Sequence, residues 1–371
     1  MTKKRIGIDA RLINQTGVGV YIKNLLYYLD KLIDDSVELY VYLRKDDFQT
    51  ASFNSKNITK RQADIQWHSI SEQTLFLKKL FSDRLDLMHF TYFSFPMFYP
   101  RPFIITIHDL IPLSHATGKA STKHPFYYSI KLFAYRLLLS KAVSNSKAIL
   151  APSNTVKQEI TQYFGDDLSQ KIYVTYEGVN MQSLQNKLSK KLEQQYKNPF
   201  YIYIGNFYPH KNVDHLIRAF AHSHTTARLV LIGPEDHFSQ RMKAIIDEEN
   251  AQNRITFHHN ATSEDLTFFY EHAKALIHPS RAEGFGLSLI EAIYHDCPVL
   301  ASNIPVFEEL YKDVVIFFDQ NDIYEMARVI DDFDAGNIVP PAIDKKSLLK
   351  KYSFETMSKK TLEVYNKLLA L

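Results

Sequence analysis

Two successive series of short apolar runs, each run followed by a helical pattern, constrain this chain more than any other feature. The first series comprises Arg5–Asp9, Val37–Leu43, Leu87–Phe90, Phe103–Ile107, Ala148–Ala151 and Ile172–Thr175. The second comprises Phe200–Ile204, Leu229–Ile232, Ile255–His258, Ala275–His278, Val299–Ala301 and Val315–Phe318. Runs this short and apolar, bounded by turn or helix signals, suit strands buried on both faces of a parallel sheet, and their alternation with helices is the signature of βαβ units. With 371 residues the chain is too long for one comfortable core, so the reading is two α/β domains. A polar stretch rich in Gln and Lys separates the series. It sets a first domain at 1–180, a linker at 181–198, a second domain at 199–350 and a terminal segment at 351–371, where Met357, Leu362, Val364, Tyr365 and Leu368 recur at near-helical spacing.

Composition narrows the class. Apolar residues make up 45% and charged residues 23%, the balance of a soluble globular protein, without a low-complexity tract. No run approaches the roughly 18 apolar residues of a membrane span, and Met1–Arg5 leads straight into a strand pattern, so a cytoplasmic location is expected. One cysteine, Cys297, excludes an internal disulfide framework and reads as structural. Net charge is only +3, but residues 1–200 carry 27 lysines and arginines against 17 acids, while 201–371 carry 17 against 24. Between Leu110 and Leu150, Lys119, Lys123, Lys131, Arg136, Lys141 and Lys147 stand among Phe126, Tyr127, Tyr128, Phe133 and Tyr135 with no acid. That stretch suits an anionic acceptor or the inner membrane surface, and equally a solvated basic helix whose aromatics pack inward. Nothing suggests nucleic acid as a partner.

The most specific stretch is Pro279-Ser-Arg-Ala-Glu-Gly-Phe-Gly-Leu-Ser-Leu-Ile-Glu291-Ala. A strand ends before it and a helix begins near Leu287. Gly284 and Gly286 let backbone approach a ligand closely, and the open N–H groups of the helix start present positive charge to a phosphate. Glu291, further into the helix, suits the two hydroxyls of a ribose, and Glu283 suits the sugar end of the same ligand. Two glycines and two spaced acids serve no packing need. A second cluster, Gly205-Asn-Phe-Tyr-Pro-His-Lys211-Asn212, also lies between strand and helix; there Lys211 can neutralise a departing diphosphate. In the first half, His108 and Asp109 close a strand at the end where α/β folds bind ligands. Gly17 and Gly19 follow the first strand, over a donor phosphate or an acceptor. The stretch is not a dinucleotide motif, since Ile22 replaces the third glycine, and hydride chemistry is not expected. Ser153 reads as a helix N-cap or a ligand contact. Asp332-Phe-Asp334 lies in an acidic run at a helix end and reads as solvated surface rather than a metal pair, so no metal is expected.

Two glutamates with seven residues between them, around Gly-Phe-Gly, resemble the donor signature of the retaining glycosyltransferases of family 4. That resemblance implies the GT-B fold: two Rossmann-like domains facing a cleft, the C-terminal helix packing back on the first. It implies that Glu283 contacts the donor sugar, that Gly284, Phe285, Gly286, Leu287 and Ser288 hold sugar hydroxyls and phosphate, and that Glu291 holds the ribose. Lys211 is similar to the family's phosphate-binding lysine and His108 to its donor-sugar contact, with Gly205 and Asn206 in the same loop as Lys211; Asn206 departs from a common arginine, which leaves the phosphates one cation short unless His210 or Arg281 supplies it. The implied catalytic set is His108, Lys211 and Glu283. The implied activity is transfer, with retention, of a hexose, with a lean to mannose, from a GDP- or UDP-sugar without a cofactor to a glycan or lipid-linked acceptor in surface polysaccharide synthesis; the basic aromatic residues from Phe126 to Lys147 point to a polyprenyl-linked one. A sugar-nucleotide 2-epimerase and a non-catalytic partner subunit are the alternatives.

Overall fold

The computed structural model describes residues 3–114, 125–180, 190–342 and 344–370, the side chains at 114, 125–131 and 190 excepted. The described residues form two sheets, both parallel. The first contains β1 (Lys4–Asp9), β2 (Val37–Leu43), β3 (Ile58–Gln62), β4 (Leu87–Phe90), β5 (Phe103–Thr106), β6 (Ala148–Ala151) and β7 (Ile172–Val174), in the order β3-β2-β1-β4-β5-β6-β7. The second contains β8 (Phe200–Ile204), β9 (Arg228–Ile232), β10 (Ile255–His258), β11 (Leu276–His278), β12 (Val299–Ser302) and β13 (Ile316–Phe318), in the order β10-β9-β8-β11-β12-β13. Both are Rossmann-like. Each reverses strand order once, between β1 and β4 and between β8 and β11, and ligands of open α/β sheets bind beyond the strand carboxyl ends at such a switch point.

Burial explains which runs become strands. β4, β5, β6 and β12 are buried along their whole length, and β8 and β9 at four of five positions, because helices cover both faces. The exception is β3, which the apolar series omits. Its sequence Ile58-Thr-Lys-Arg-Gln62 is polar because it borders the sheet: Lys60 Nζ caps the carbonyls of Phe48 and Ala51 at 2.7 Å each, and Arg61 Nε pairs with Asp83 at 3.0 Å. Charged side chains on an edge strand also discourage pairing with another chain.

Contacts divide the chain into two compact units, one of residues up to 178 together with the segment from 352 onward, the other of the described residues from 179 to 351. The linker residues 181–189 and, of the basic aromatic stretch, residues 115–124 and the side chains through 131 lie outside the description. Where the chain leaves the first unit it touches the place where it returns. A Cβ at Gly178 would stand 2.0 Å from the carbonyl oxygen of Tyr352, so only glycine fits there. The terminal helix, Phe354–Leu369, is capped by Ser353, which accepts from the Thr356 N–H at 3.2 Å, and it packs on the helix Val18–Leu32 of the first unit. Its Tyr365 hydroxyl reaches His89 Nδ1 on β4 at 2.6 Å.

One surface expectation needs correcting. The acidic run 331–334 is not simply solvated. Asp331 accepts from the N–H groups of His224 (2.8 Å) and Thr225 (3.2 Å), and Asp334 accepts from Tyr201 Oη (2.9 Å) and from Lys274. These carboxylates anchor a helix end to the sheet, an arrangement that partners distant in sequence conceal.

Candidate active site

In the second unit the two loops singled out in the sequence flank the switch point, one after β8 and one after β11. The β8 loop starts at Gly205, with φ of 155°, and a Cβ there would stand 2.9 Å from Tyr203 Oη. That hydroxyl donates to the Asn206 carbonyl at 2.5 Å. Gly233, at the end of β9, is equally constrained, since its Cβ would lie 2.2 Å from the Gly205 carbonyl oxygen; sequence reasoning passed over it, though a glycine directly after a buried strand was the available signal. A single 3₁₀ turn, Pro209–Lys211, leads to Asn212, which is buried and left-handed with φ of 58°. Asn212 Nδ2 donates to the Pro279 carbonyl (3.1 Å) and to the Gln320 carbonyl (2.8 Å). One side chain thereby clips together the loops after β8, β11 and β13.

The β11 loop ends at Gly286, whose φ of 85° makes it the N-cap of the helix Leu287–Tyr294; a Cβ there would meet the Phe307 ring at 2.6 Å. This helix has no acid in its first turn, and it has no side-chain cap, whereas the helices His237–Glu248 and Ser263–His272 carry capping boxes. Its macrodipole therefore faces the loop without a covalently attached anion. Phe285 is buried with its ring 6.1 Å from Tyr311, so what it can offer a ligand is backbone.

Glu283 is the centre of this constellation. Its Oε1 accepts three bonds, from Lys211 Nζ (2.6 Å), Ser280 Oγ (2.8 Å) and His278 Nε2 (2.9 Å), while Oε2 has no partner among the described residues. Burial opposes ionisation, but the Lys211 ammonium and the His278 bond outweigh it and hold the carboxyl well below the usual range. Glu291 shows the same division with the opposite shift. Tyr270 Oη donates to its Oε2 at 2.9 Å, and burial, only partly offset by that bond, pushes the carboxyl up to about 7. Asn206 offers no cation, and its Oδ1 accepts from the Tyr208 N–H at 3.4 Å. Arg281 does not turn to replace it: its Nη2 donates to His215 Nε2 at 3.2 Å, beside Asp214. Lys211 is thus the ammonium at the Glu283 carboxylate, and together with two half-satisfied carboxylates and an open helix end the unit can hold a molecule with both hydroxyl and anionic groups.

In the first unit, the loops after β1, β4, β5 and β7 are tied together by buried polar groups. Arg11 forks onto Asp9, with Nε to Oδ1 at 2.8 Å and Nη2 to Oδ2 at 2.6 Å, and Nη2 also reaches Glu72 Oε1 at 2.7 Å. The loop that ends at Gly17, with Gly19 in the first turn of the helix after it, follows directly on Asp9 and Arg11. Gly19 is required by close approach, since its Cβ would lie 2.5 Å from the Ile13 carbonyl oxygen, and Gly17 caps the helix Val18–Leu32 with φ of 52°. His108 stands beyond β5. Its Nδ1 faces Glu177 Oε1 at 2.9 Å and its Nε2 the Thr91 carbonyl at 3.0 Å, and both partners can only accept. Burial disfavours the charged ring, but Glu177 and Thr91 outweigh it and raise the pKa above its ordinary value. The imidazolium therefore satisfies both partners, and in this arrangement neither nitrogen is turned to a ligand. Glu177 was not singled out in the sequence; an acid two residues after a strand-like run was the only signal. Ser153 caps the helix Asn154–Phe164 by accepting from the Val156 N–H at 3.2 Å.

Among known proteins, residues 15–183 match the family model of Glycosyltransferase Family 4, and residues 185–346 match that of Glycosyl transferases group 1. The O-antigen chain mannosyltransferase RfbU of Salmonella typhimurium is 28% identical over 259 residues, covering 68% of this chain and 70% of that protein. O-antigen chain mannosyltransferase B of Escherichia coli is 25% identical over 194 residues, covering 50% of this chain and 51% of its own length. Of solved structures, sucrose-phosphate synthase from Thermosynechococcus elongatus superposes with a TM-score of 0.76 at 15% identity, covering 99% of this chain and 100% of that one. Anabaena HepE, solved in complex with UDP and glucose, superposes with a TM-score of 0.71 at 17% identity, covering 98% and 100%. The two family models follow one another along nearly the whole chain, each on one of the two Rossmann-like folds, and the chain belongs to the GT-B glycosyltransferases, with a Family 4 domain followed by a group 1 domain.

Proposed function

We propose that this enzyme transfers a hexose, with mannose the leading candidate, from a GDP- or UDP-sugar to a glycan or polyprenyl-linked acceptor in surface polysaccharide synthesis, with retention of anomeric configuration. The observation that carries the donor site is the division of labour on Glu283: Oε1 is saturated by three donors, Lys211 among them, and Oε2 is left to accept from a sugar hydroxyl. In this reading the diphosphate lies between Lys211 and the N-terminus of Leu287–Tyr294, against the backbone of Gly205, Asn206 and residues 284–288. The ribose hydroxyls donate to Glu291 Oε1. As the glycosidic bond breaks, negative charge grows on the diphosphate, where the ammonium and the helix amides stabilise it. The same two groups supply the positive charge that a divalent cation supplies elsewhere, so no metal is required. The leaving phosphate takes the acceptor proton on the face from which the acceptor attacks, which gives retention.

The names of the relatives support mannose, and the UDP and glucose bound to HepE keep a UDP donor in play. The acceptor falls to the basic first unit. In the helix Pro125–Asn145, Phe133 (70% exposed) and Leu137 (44% exposed) stand outward beside Arg136 and Lys141, while Tyr135 turns inward onto Phe93. An apolar and cationic face without acids suits a lipid-linked anionic glycan at the inner face of the membrane, with the enzyme cytoplasmic and peripheral. No described helix is long and apolar enough to cross a membrane. In the catalytic set His108, held between Glu177 and Thr91, is the first unit's candidate sugar contact, the role the family resemblance implies for it.

The test is product analysis. Incubation with GDP-mannose or UDP-glucose and polyprenyl-diphosphate glycans, in the presence of EDTA, is expected to release nucleotide diphosphate and form an α-linked product by NMR. An epimerised sugar nucleotide without nucleotide release identifies an epimerase instead, and an inverted product contradicts retention.

A further inference from the structure

His278 lies at the end of β11, where the chain turns into the donor loop. It is almost wholly buried, with its ring stacked 6.0 Å from Tyr203 and edge-on to Phe307 at 5.5 Å, so its orientation is set by packing. Burial outweighs the pull of Glu283 and lowers its pKa, so the ring is neutral. A neutral imidazole donates from one nitrogen and accepts at the other, and the neighbours decide which. Nε2 stands 2.9 Å from Glu283 Oε1, and an ionised carboxylate only accepts, so Nε2 carries the proton. Nδ1 stands 3.2 Å from Ser288 Oγ and therefore accepts from that hydroxyl. Ser288 belongs to the first turn of the helix Leu287–Tyr294. A continuous chain thus runs from the helix start through Ser288 and His278 to Glu283 and Lys211.

We propose that His278 is the positioning residue for Glu283. This rests on the reading of Glu283 as the donor-sugar contact. Lys211 fixes the charge of the carboxylate but not its rotation, because a lysine ammonium is a flexible point donor, and the third donor to Oε1, the Ser280 hydroxyl at 2.8 Å, is itself a rotor that stands 3.1 Å from His278 Nε2. The Nε2–H of a ring clamped between aromatics is the donor whose direction is set by packing: with the Ser280 hydroxyl beside it, it pins Oε1, and with the carboxylate plane so fixed Oε2 is the oxygen presented to the sugar. Through Ser288 the same ring couples that orientation to the helix end that faces the diphosphate, so sugar and phosphate are registered against one rigid element. The residue acts through Glu283 and touches no reacting atom.

The experiment uses the full chain and two readouts. Long-range ¹H–¹⁵N NMR of the histidine rings is expected to show His278 as the Nε2–H tautomer, with that signal shifted in Glu283→Gln. In binding titrations with GDP, UDP, GDP-mannose and UDP-glucose, His278→Phe, which fills the aromatic slot without nitrogens, is expected to weaken the accepted sugar nucleotide at least ~10-fold while the bare nucleotide stays within ~2-fold. His278→Gln, which restores an N–H near the Nε2 position, should recover part of that loss, and Ser288→Ala should lose about 3-fold without loss of fold. An Nδ1–H or charged ring overturns the proposal, as does His278→Phe with unchanged sugar-nucleotide affinity alongside a Glu283→Gln that loses it. If Glu283→Gln itself leaves sugar-nucleotide affinity unchanged, it is the donor reading that fails, and the tautomer readout still decides whether His278 orients Glu283.

Discussion

Lys211 Nζ lies 2.6 Å from Glu283 Oε1, so the phosphate-binding cation and the sugar-binding carboxylate of the proposed donor site are paired with each other. A charge-assisted bond of this kind contributes about 1.5–3 kcal/mol. Glu283→Gln keeps the shape and releases the ammonium. Transfer is expected to fall about 10- to 100-fold by that scale, while affinity for GDP or UDP is kept or increased. Calorimetric binding beside turnover checks this, and an equal loss in both would contradict the pairing.

The same carboxyl makes a prediction for stability. Its folded pKa is depressed by Lys211 and His278, so it contributes stability above the unfolded carboxyl value, and that contribution is lost as pH falls below that value toward the depressed one. The advantage of the native protein over Glu283→Gln in urea unfolding should therefore be full at pH 7 and shrink below about pH 4.5. An advantage that grows on acidification would reverse the sign.

Glu291 titrates close to neutrality, at about 7, because burial outweighs the Tyr270 bond. Only the ionised form accepts from both ribose hydroxyls. Nucleotide affinity should fall as pH drops through about 7, Tyr270→Phe should move that fall to higher pH by removing the bond that stabilises the anion, and Glu291→Gln should flatten it. Titrations at pH 6, 7 and 8 decide the order of these three profiles.

For His108 the sign is opposite. Its pKa is raised by Glu177, so the pair contributes stability that is complete below the unfolded histidine value and disappears as pH rises through the folded one. Glu177→Gln should lower the His108 pKa in an NMR titration and cost most stability at acidic pH. A variant whose deficit is greatest at alkaline pH would exclude a charged His108.

Arg11→Ala leaves Asp9 and Glu72 buried without their shared cation, and breaking a buried pair in this way costs about 3–5 kcal/mol. Urea unfolding should show a loss of that size. A loss below about 1 kcal/mol, the scale of an exposed pair, would mean the triad does not anchor the loop that leads to Gly17.

Most strands were legible because a parallel strand covered on both faces must be a short apolar run, and Phe200–Ile204 or Ala148–Ala151 admit little else. β3 escaped for the converse reason: an edge strand answers to solvent, and Ile58-Thr-Lys-Arg-Gln62 shows it. At the site, Gly205, Lys211, Glu283, Gly286 and Glu291 stood out because glycines, acids and a lysine gathered at strand ends suit a ligand loop, but the close approach of Tyr203 to Gly205 and of Phe307 to Gly286, which also demands glycine there, left no mark in the sequence. Their partners were invisible. Tyr270 lies on a helix 21 residues before Glu291, Glu177 lies 69 residues after His108, and Asn212 clips a carbonyl 108 residues away, so sequence spacing carries no trace of these pairs.

The most direct measurement is thermal unfolding of the full chain with GDP, UDP, ADP and dTDP, each with and without EDTA. At 100 times its dissociation constant a ligand adds about 2.7 kcal/mol. Stabilisation of that size by GDP or UDP, indifferent to EDTA and lost in Glu291→Ala, is the result expected for a metal-independent donor site in the second unit. Stabilisation that survives in Glu291→Ala, or the lack of any stabilisation by all four nucleotides, would contradict it.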